Sequence, residues 1–372
     1  MTVPSSHRPR LRELGIELGR LPTGPLNAIS DVAGVRVGVT TLIAGDGPLV
    51  PGTGPVRTGV TAIFPHEGNP YVAQVPIVVH VINGAGEVTG RSEIDEWALL
   101  ETPICLTNTL SVGGVYDAVL TWMFRQAASL GHEAWVIPVV AECFDGHLND
   151  IQGRHVREEH VLAALDGAVG GPVPEGSVGG GTGMTCHGYK GGNGTASRVA
   201  ETGGGRWTVG ALVQANHGAR DDLRVGGLNV GRLLTPTPPV RTGEGSIIIV
   251  LATDAPLDTH QLRRLSARGA LGLARTGSFA GNGSGDFVIA FSNYPGNRVP
   301  PEAHGAPRAL TTLYNDDMNP LFLAAVECVE EAVLNALCAA GDMVGRDGHY
   351  APGLPSDQLR DLWRAHTPSR NA

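Results

Sequence analysis

The chain has 372 residues, 42% of them hydrophobic, with 36 acidic against 27 basic side chains and a formal charge of −9. That length can bury a large core, and the apolar residues spread along it exclude a disordered chain. The acidic balance without a Lys/Arg run argues against a nucleic-acid or anionic-membrane partner and for a small-molecule or peptide substrate.

After a basic, polar tail from Met1 to Arg12, the segment Asn27–Gly38 reads as a turn and a short strand, and Gly59–Phe64 as another strand. Val75–Ile82 is a continuous apolar run of the buried-strand kind. Val119, Met123 and Ala127 recur at helical spacing within a helix predicted over Val115–Leu130 and closed by Gly131. A strand over Trp135–Val140 and a helix over Val156–Leu165 follow, then a glycine-rich stretch from Gly167 to Gly194 and a strand over Thr208–Gln214. The Thr- and Pro-rich segment Leu233–Gly245 reads as an exposed linker. Beyond it come a strand opening at Ser246, a helix over Thr259–Arg275, a strand over Asp286–Ser292 and a long helix from about Asn319 to Ala340. The part after the linker has too few strands to close its own sheet, so a single α/β domain over 1–372 is expected.

The tail lacks the apolar segment of a signal peptide, and no run reaches bilayer length. Five cysteines without CxxC spacing indicate neither a disulfide framework nor a zinc ribbon. Reduced thiols in the cytoplasm suit this pattern. The 53 glycines and 26 prolines point to tight turns and close backbone packing.

Three stretches carry candidate chemistry. Gly179–Arg198 invites a phosphate-loop reading, but Lys190 is followed by Gly191 where a Walker loop needs Ser/Thr, and Pro172 and Pro174 argue against a preceding strand. Within it Cys186 and His187 could form a nucleophile and base, although adjacent residues rarely face one another and a buried thiol is the plainer reading. The 13 histidines show no HExxH and no tight cluster along the chain, so no metal site is assigned. In Thr242-Gly-Glu-Gly-Ser246 a Gly-Ser bond stands at the mouth of an apolar strand; cutting it would free an α-amino group on Ser246, and nucleophile and base would become one residue. Ala280-Gly-Asn-Gly-Ser-Gly-Asp286 enters a second strand with Ser284 and Asp286 at i, i+2, a spacing that can aim a hydroxyl and a carboxylate the same way.

Taken together, Asn27–Gly38, Asn83–Gly90, Glu142–Asp150, Gly179–Arg198, Val213–Gly218 and Gly245-Ser246 resemble, in order and over nearly the whole chain, the self-processing aminopeptidases that include L-aminopeptidase/D-amino-acid esterases and β-peptidyl aminopeptidases. The resemblance implies a four-layer αββα sandwich similar to N-terminal-nucleophile hydrolases, cut into chains 1–245 and 246–372 that stay associated. It implies Ser246 as nucleophile, its freed amine as base, Ser284 and Asp286 as the pair that orients it, Asn216 as oxyanion donor and Glu142 as the carboxylate that holds the substrate ammonium. Phe144 departs from the family, which often has a tyrosine there able to donate to the oxyanion. Hydrolysis of small peptides, amides or esters with a free amino group follows as the expected activity, with no metal or cofactor. Acyl transfer to an amine and a non-catalytic homologue are the alternatives. The family also implies a homo-oligomer, with a tetramer suggested.

Overall fold

The computed structural model describes residues 8–234, 245–301, 305 and 307–366. The expected linker therefore lies, over 235–244, outside the described residues, as do residues 1–7 of the basic tail.

In chain order the first half runs β1 (Arg36–Ala44), β2 (Val56–Phe64), β3 (Val75–Gly84), α1 (Arg91–Trp97), β4 (Leu99–Leu100), β5 (Ile104–Asn108), α2 (Val112–Gln126), β6 (Val139–Cys143) and α3 (Glu158–Asp166). A short ribbon, β7 (Thr185–Cys186) and β8 (Tyr189–Lys190), precedes the long hairpin β9 (Gly192–Thr202) and β10 (Gly205–Asn216). The remainder is β11 (Ser246–Thr253), α4 (Thr259–Arg275), β12 (Gly285–Ser292), α5 (Met318–Ala339), the ribbon β13 (Met343–Val344) and β14 (Tyr350–Ala351), and α6 (Ser356–His366).

Two sheets form, in the orders β1-β2-β5-β6 and β4-β3-β12-β11-β10-β9. The strands that follow the linker therefore sit in the middle of the larger sheet, β11 pairing antiparallel with β10 and parallel with β12, which pairs antiparallel with β3. Side-chain alternation then sets the layers. On β11, Ile248, Val250 and Ala252 face the smaller sheet, packing with Ile63 of β2, Ile104 and Leu106 of β5 and Val139 of β6. Ile247, Ile249 and Leu251 face the other way, against Leu262 and Leu265 of α4 and the apolar face of α5. Val60, Ala62 and Phe64 on the outer face of β2 cover Val115 and Val119 of α2 and Val161 of α3. Three apolar gaps separate four layers, αββα, each buried aliphatic side chain contributing roughly 1.5–3 kcal/mol.

Local chemistry explains where the observed elements match or shift. Helix α4 has the expected bounds because Asp258 accepts the Gln261 N–H at 2.7 Å and Gln261 reaches back to the Asp258 N–H at 3.4 Å, a reciprocal cap. Helix α2, in contrast, starts at Val112 and stops at Gln126, with Ala127 extended at φ −149°. Gly131 is not its cap: its φ of +84° serves a later turn in which Ser129 collects the N–H groups of His132, Glu133 and Ala134. The expected strand over Trp135–Val140 is observed over Val139–Cys143, since Pro138 has no N–H for a ladder and the indole of Trp135 lies tilted against Trp97 with ring centroids 5.2 Å apart. That shift carries Glu142 into β6. Helix α3 begins at Glu158, two residues after the expected start. Among the described residues no helix is long and apolar enough to cross a membrane, and all five cysteines are buried free thiols.

Candidate active site

The sheets converge on one edge where β5, β6 and β10 end and β11 and β12 begin. Two contacts tie the layers there: Gln214 donates from Nε2 to the Thr107 carbonyl at 2.9 Å, and the Cys143 thiol lies 3.5 Å from the Gln214 carbonyl. Just past these ties opens a cavity of about 350 Å³ whose walls include Glu142, Phe144, Asn216, Gly245 and Ser246.

Ser246 opens β11 opposite Asn216 on one side and Gly285 on the other. Its Oγ accepts the Gly285 N–H at 3.2 Å. A Cβ at Gly245 would stand 1.9 Å from the Asn216 carbonyl oxygen, so the chain can approach Ser246 along this path only with glycine before it. Ser284 and Asp286 flank Gly285, and the Ser284 hydroxyl donates to Asp286 Oδ1 at 2.6 Å. The same oxygen accepts the Ile247 N–H at 3.2 Å. Asp286 Oδ2 is buried with no hydrogen-bond partner among the described residues. Burial pushes the Asp286 carboxyl up to about 6, against the two hydrogen bonds that favour its ionised form.

Asn216 is held at both ends of its amide, Oδ1 accepting the Thr185 N–H at 2.8 Å and Nδ2 donating to the Phe144 carbonyl at 3.0 Å. An amide nitrogen carries two hydrogens, so one donor remains. Glu142, 4% exposed, accepts the Glu87 N–H at 3.1 Å and the Thr109 hydroxyl. Burial raises its pKa and the nearby Glu87 charge adds to this, while the two donors oppose it. Gly86 packs directly on this carboxylate, a Cβ there standing 3.0 Å from Oε1. Among the described residues neither Glu142 nor Asp286 takes part in an ion pair. Phe144 presents its ring to the cavity, 43% exposed, with no hydroxyl to offer.

All the residues singled out in the sequence thus border one edge of the sandwich. Reading the sequence missed Thr109, whose only local signal is its place after Asn108, the residue that caps the turn leading into α2. The glycine-rich stretch is not a phosphate loop: Lys190 is buried and its Nζ donates to the carbonyls of Gly181, Met184 and Gly191 at 3.3, 2.6 and 2.8 Å, closing the turn on itself. Burial drags this amine down to about 7, with Cys186 and Asp145 opposing. Cys186 meets an imidazole from the end of β10, its Sγ lying 3.9 Å from both ring nitrogens of His217.

Comparison with known proteins places this architecture. Residues 27–351 match the model of peptidase family S58. Over 379 aligned residues the chain is 45% identical to a β-peptidyl aminopeptidase, BapA, of Sphingosinicella xenopeptidilytica, covering 97% of this chain and 92% of that one. Among solved structures, a β-aminopeptidase of a Burkholderia species superposes with a TM-score of 0.88 at 47% identity over 96% of this chain and 98% of that one. The L-aminopeptidase D-Ala-esterase/amidase of Ochrobactrum anthropi, described as a variant of the Ntn hydrolase fold, superposes with a TM-score of 0.89 at 44% identity over 96% and 99%. An αββα sandwich with this edge cavity and a match over nearly its full length make the chain a member of peptidase family S58, an aminopeptidase of the Ntn hydrolase fold.

Proposed function

We propose that the chain is cut between Gly245 and Ser246 and that the mature enzyme uses Ser246 to remove N-terminal residues from small peptides, amides or esters through an acyl-enzyme. The observation that carries this reading is a strand-opening serine and a carboxylate without an ion pair, Glu142, in the wall of one cavity, with the Ser284–Asp286 pair flanking Gly285, the register partner of that serine.

In the precursor the Ser246 hydroxyl attacks the Gly245 carbonyl, the peptide nitrogen leaves as an amine, and water hydrolyses the resulting ester. The freed amine then takes the hydroxyl proton when Ser246 attacks a substrate carbonyl, and returns it to the leaving group. Asp286 Oδ2 supplies a site for that amine when protonated, since the N–H of the next residue already reaches Oδ1. The remaining Asn216 amide hydrogen serves the oxyanion, a donor worth roughly 3–4 kcal/mol when preorganised. Glu142 pairs with the substrate ammonium, which restricts attack to residues with a free amine because an interior peptide bond brings no charge to it. Phe144 forms an apolar wall for the acyl side chain. The relatives named for β-peptides and for L-residues match equally well, at 45% and 44% identity, so the proposed substrate class is the free primary amine on the acyl residue.

The test is intact mass under denaturing conditions. Two chains of about 25 and 13 kDa are expected, in proportion to residue number within the 38.7 kDa whole, the smaller beginning Ser-Ile-Ile-Ile. A single full-length species that persists on prolonged incubation overturns the reading.

A further inference from the structure

Beside the catalytic residues, the fold gathers three metal-ligating side chains that are remote or unmatched in the sequence. Cys186 ends β7, His187 follows it, and His217 follows Asn216 at the end of β10; one ligand atom from each lies within 4.8 Å of the other two. All three are buried, Cys186 and His187 completely.

The imidazole tautomer follows from a hydrogen bond. His187 Nδ1 lies 3.0 Å from the Ala219 carbonyl oxygen, and a carbonyl only accepts, so Nδ1 carries the hydrogen and Nε2 carries a lone pair. That nitrogen is buried with no partner among the described residues, a condition that leaves its desolvation uncompensated. Histidines that bind metals are oriented in this way, one nitrogen donating to a backbone carbonyl and the other facing the ion. His217 meets the ring of His187 edge to face at 5.1 Å and has the Cys186 sulfur beside it.

We propose that Cys186, His187 and His217 form a binding site for one thiophilic divalent cation of the zinc class. A sulfur and two imidazoles suit such an ion, and the set has no oxygen donor for calcium or magnesium. On binding, the Cys186 S–H bond breaks, its proton goes to solvent and a thiolate–metal bond forms. Metal–sulfur and metal–nitrogen bonds of about 2.3 and 2.0–2.1 Å in a tetrahedral arrangement bring donors to roughly 3.4–3.6 Å of one another, so the 3.9 Å spacing of Sγ from the His217 nitrogens contracts by a few tenths of an ångström.

The ion has a route and a consequence. Thr185, Gly188, His217 and Gly218 line the active-site cavity, so the cluster lies directly behind its wall with His217 at the cavity surface. Thr185 and Asn216, the neighbours of two ligands, are joined by the 2.8 Å bond from the Thr185 N–H to the Asn216 side chain. Drawing the ligands together therefore shifts Asn216, and occupancy inhibits turnover; this second effect rests on the role proposed above for Asn216, whereas binding does not.

The experiment uses the purified wild-type protein, titrated with Co2+ and read by the thiolate-to-cobalt absorption, with Zn2+ then added as competitor. One equivalent of Co2+ is expected to bring up the band and Zn2+ to discharge it. Cys186→Ser should abolish it, and His187→Asn, which keeps a residue tolerant of the observed φ of +48°, should weaken binding at least about tenfold. No band in the wild type, or a band that survives Cys186→Ser, overturns the site. Peptidase assays at the same Zn2+ concentrations test the consequence: full activity with the site loaded removes the coupling to Asn216 and leaves the site, while a protein with no peptidase activity at all still reports binding by absorption.

Discussion

Two groups of buried charges in this molecule are built in opposite ways. On one side of the larger sheet, Arg198 of β9 is completely buried and donates to Glu327 at 3.0 Å and to Glu331 at 2.5 Å, both on α5, while Arg12 reaches Glu331 from outside at 2.8 Å. The Leu18 and Ser197 carbonyls take further guanidinium hydrogens at 3.1 and 2.8 Å. At the cavity edge, Glu142 and Asp286 are as deeply buried, yet among the described residues neither is joined to a cation and one oxygen of Asp286 has no partner. Electrostatics follows construction. Burial raises Glu331, but Arg198 and Arg12 outweigh it and hold the group below the ordinary carboxylate range; for Glu142 and Asp286 burial wins and both are raised. A charge supplied with all its partners fastens α5 to the sheet, whereas a buried carboxylate without a cation keeps its proton more readily and marks a candidate functional group.

The contrast can be broken at either end. Ser246→Ala has the largest expected effect: no chain cleavage, and kcat/KM for an aminoacyl p-nitroanilide at least about ten-thousandfold lower, with thermal stability close to that of the uncleaved parent because the Arg198 group is untouched. Turnover at the wild-type rate by this variant would move the nucleophile elsewhere, with Cys186 the next thiol to examine. Arg198→Met should show the reverse, losing about 3–5 kcal/mol in urea unfolding because Glu327 is left buried without its cation and Glu331 keeps only Arg12. A loss under about 1 kcal/mol would mean that this group is no more structural than the cavity carboxylates.

Proton linkage separates the two groups by sign. In the uncleaved Ser246→Ala protein, native Asp286 holds its proton up to about 6 while the unfolded carboxyl releases it near 4, so the native state binds more protons and stability falls as pH rises through that window. The change is at most about 3 kcal/mol, at roughly 1.4 kcal/mol per unit. Asp286→Asn should flatten the slope, leaving the share of Glu142, which has the same sign. Glu331, held low, acts oppositely: its contribution is complete above the unfolded value and is lost as pH falls below it. Stability that rises between pH 4 and 6 in the uncleaved protein, with no change in Asp286→Asn, contradicts this assignment.

The smallest effect expected is that of Glu142→Gln, a ten- to hundredfold drop in kcat/KM for substrates with a free amine, about 1.4–2.7 kcal/mol, with cleavage of the chain retained. N-acetylated substrates, poor with either protein, should not change. Stability should stay level or rise, since an unpaired buried carboxylate is removed. If the ratio between free and acetylated substrates is unaltered and stability falls, Glu142 belongs with the structural group.

Much of the candidate site was legible because it lies in short, local patterns. Gly245-Ser246 before an apolar run, and Ser284 two residues from Asp286, needed only strand geometry. What escaped depends on residues far apart in the chain. Thr109 meets Glu142 across 33 positions, and nothing in its own neighbourhood marks it as that carboxylate's donor. Cys186 and His217 are 31 positions apart and meet only because β7 and β10 end together, so no local pattern in the sequence pairs them. Lys190 looked like a phosphate ligand stripped of its motif because its three carbonyl acceptors belong to the backbone, which no side-chain pattern records.

By itself the sequence determined the elements whose signals are covalently close: the alternating faces of β11, the start of α4 set by a cap from Asp258 to Gln261, and the glycine that alone can precede Ser246. Tertiary structure decided the rest. Helix α2 ends at Gln126 and β6 begins at Val139 because a turn around Ser129 and a proline without an N–H redirect the chain, although apolar spacing continues through both. Strands β11 and β12 enter between β10 and β3, a placement fixed by pairing with partners 30 to 44 positions away on β10 and 201 to 214 positions away on β3. The raised carboxylates at the cavity arise from the same cause: burial is a property of the packed layers, and only once two sheets close over Glu142 and Asp286 does an ordinary acidic side chain hold its proton above the usual carboxylate range.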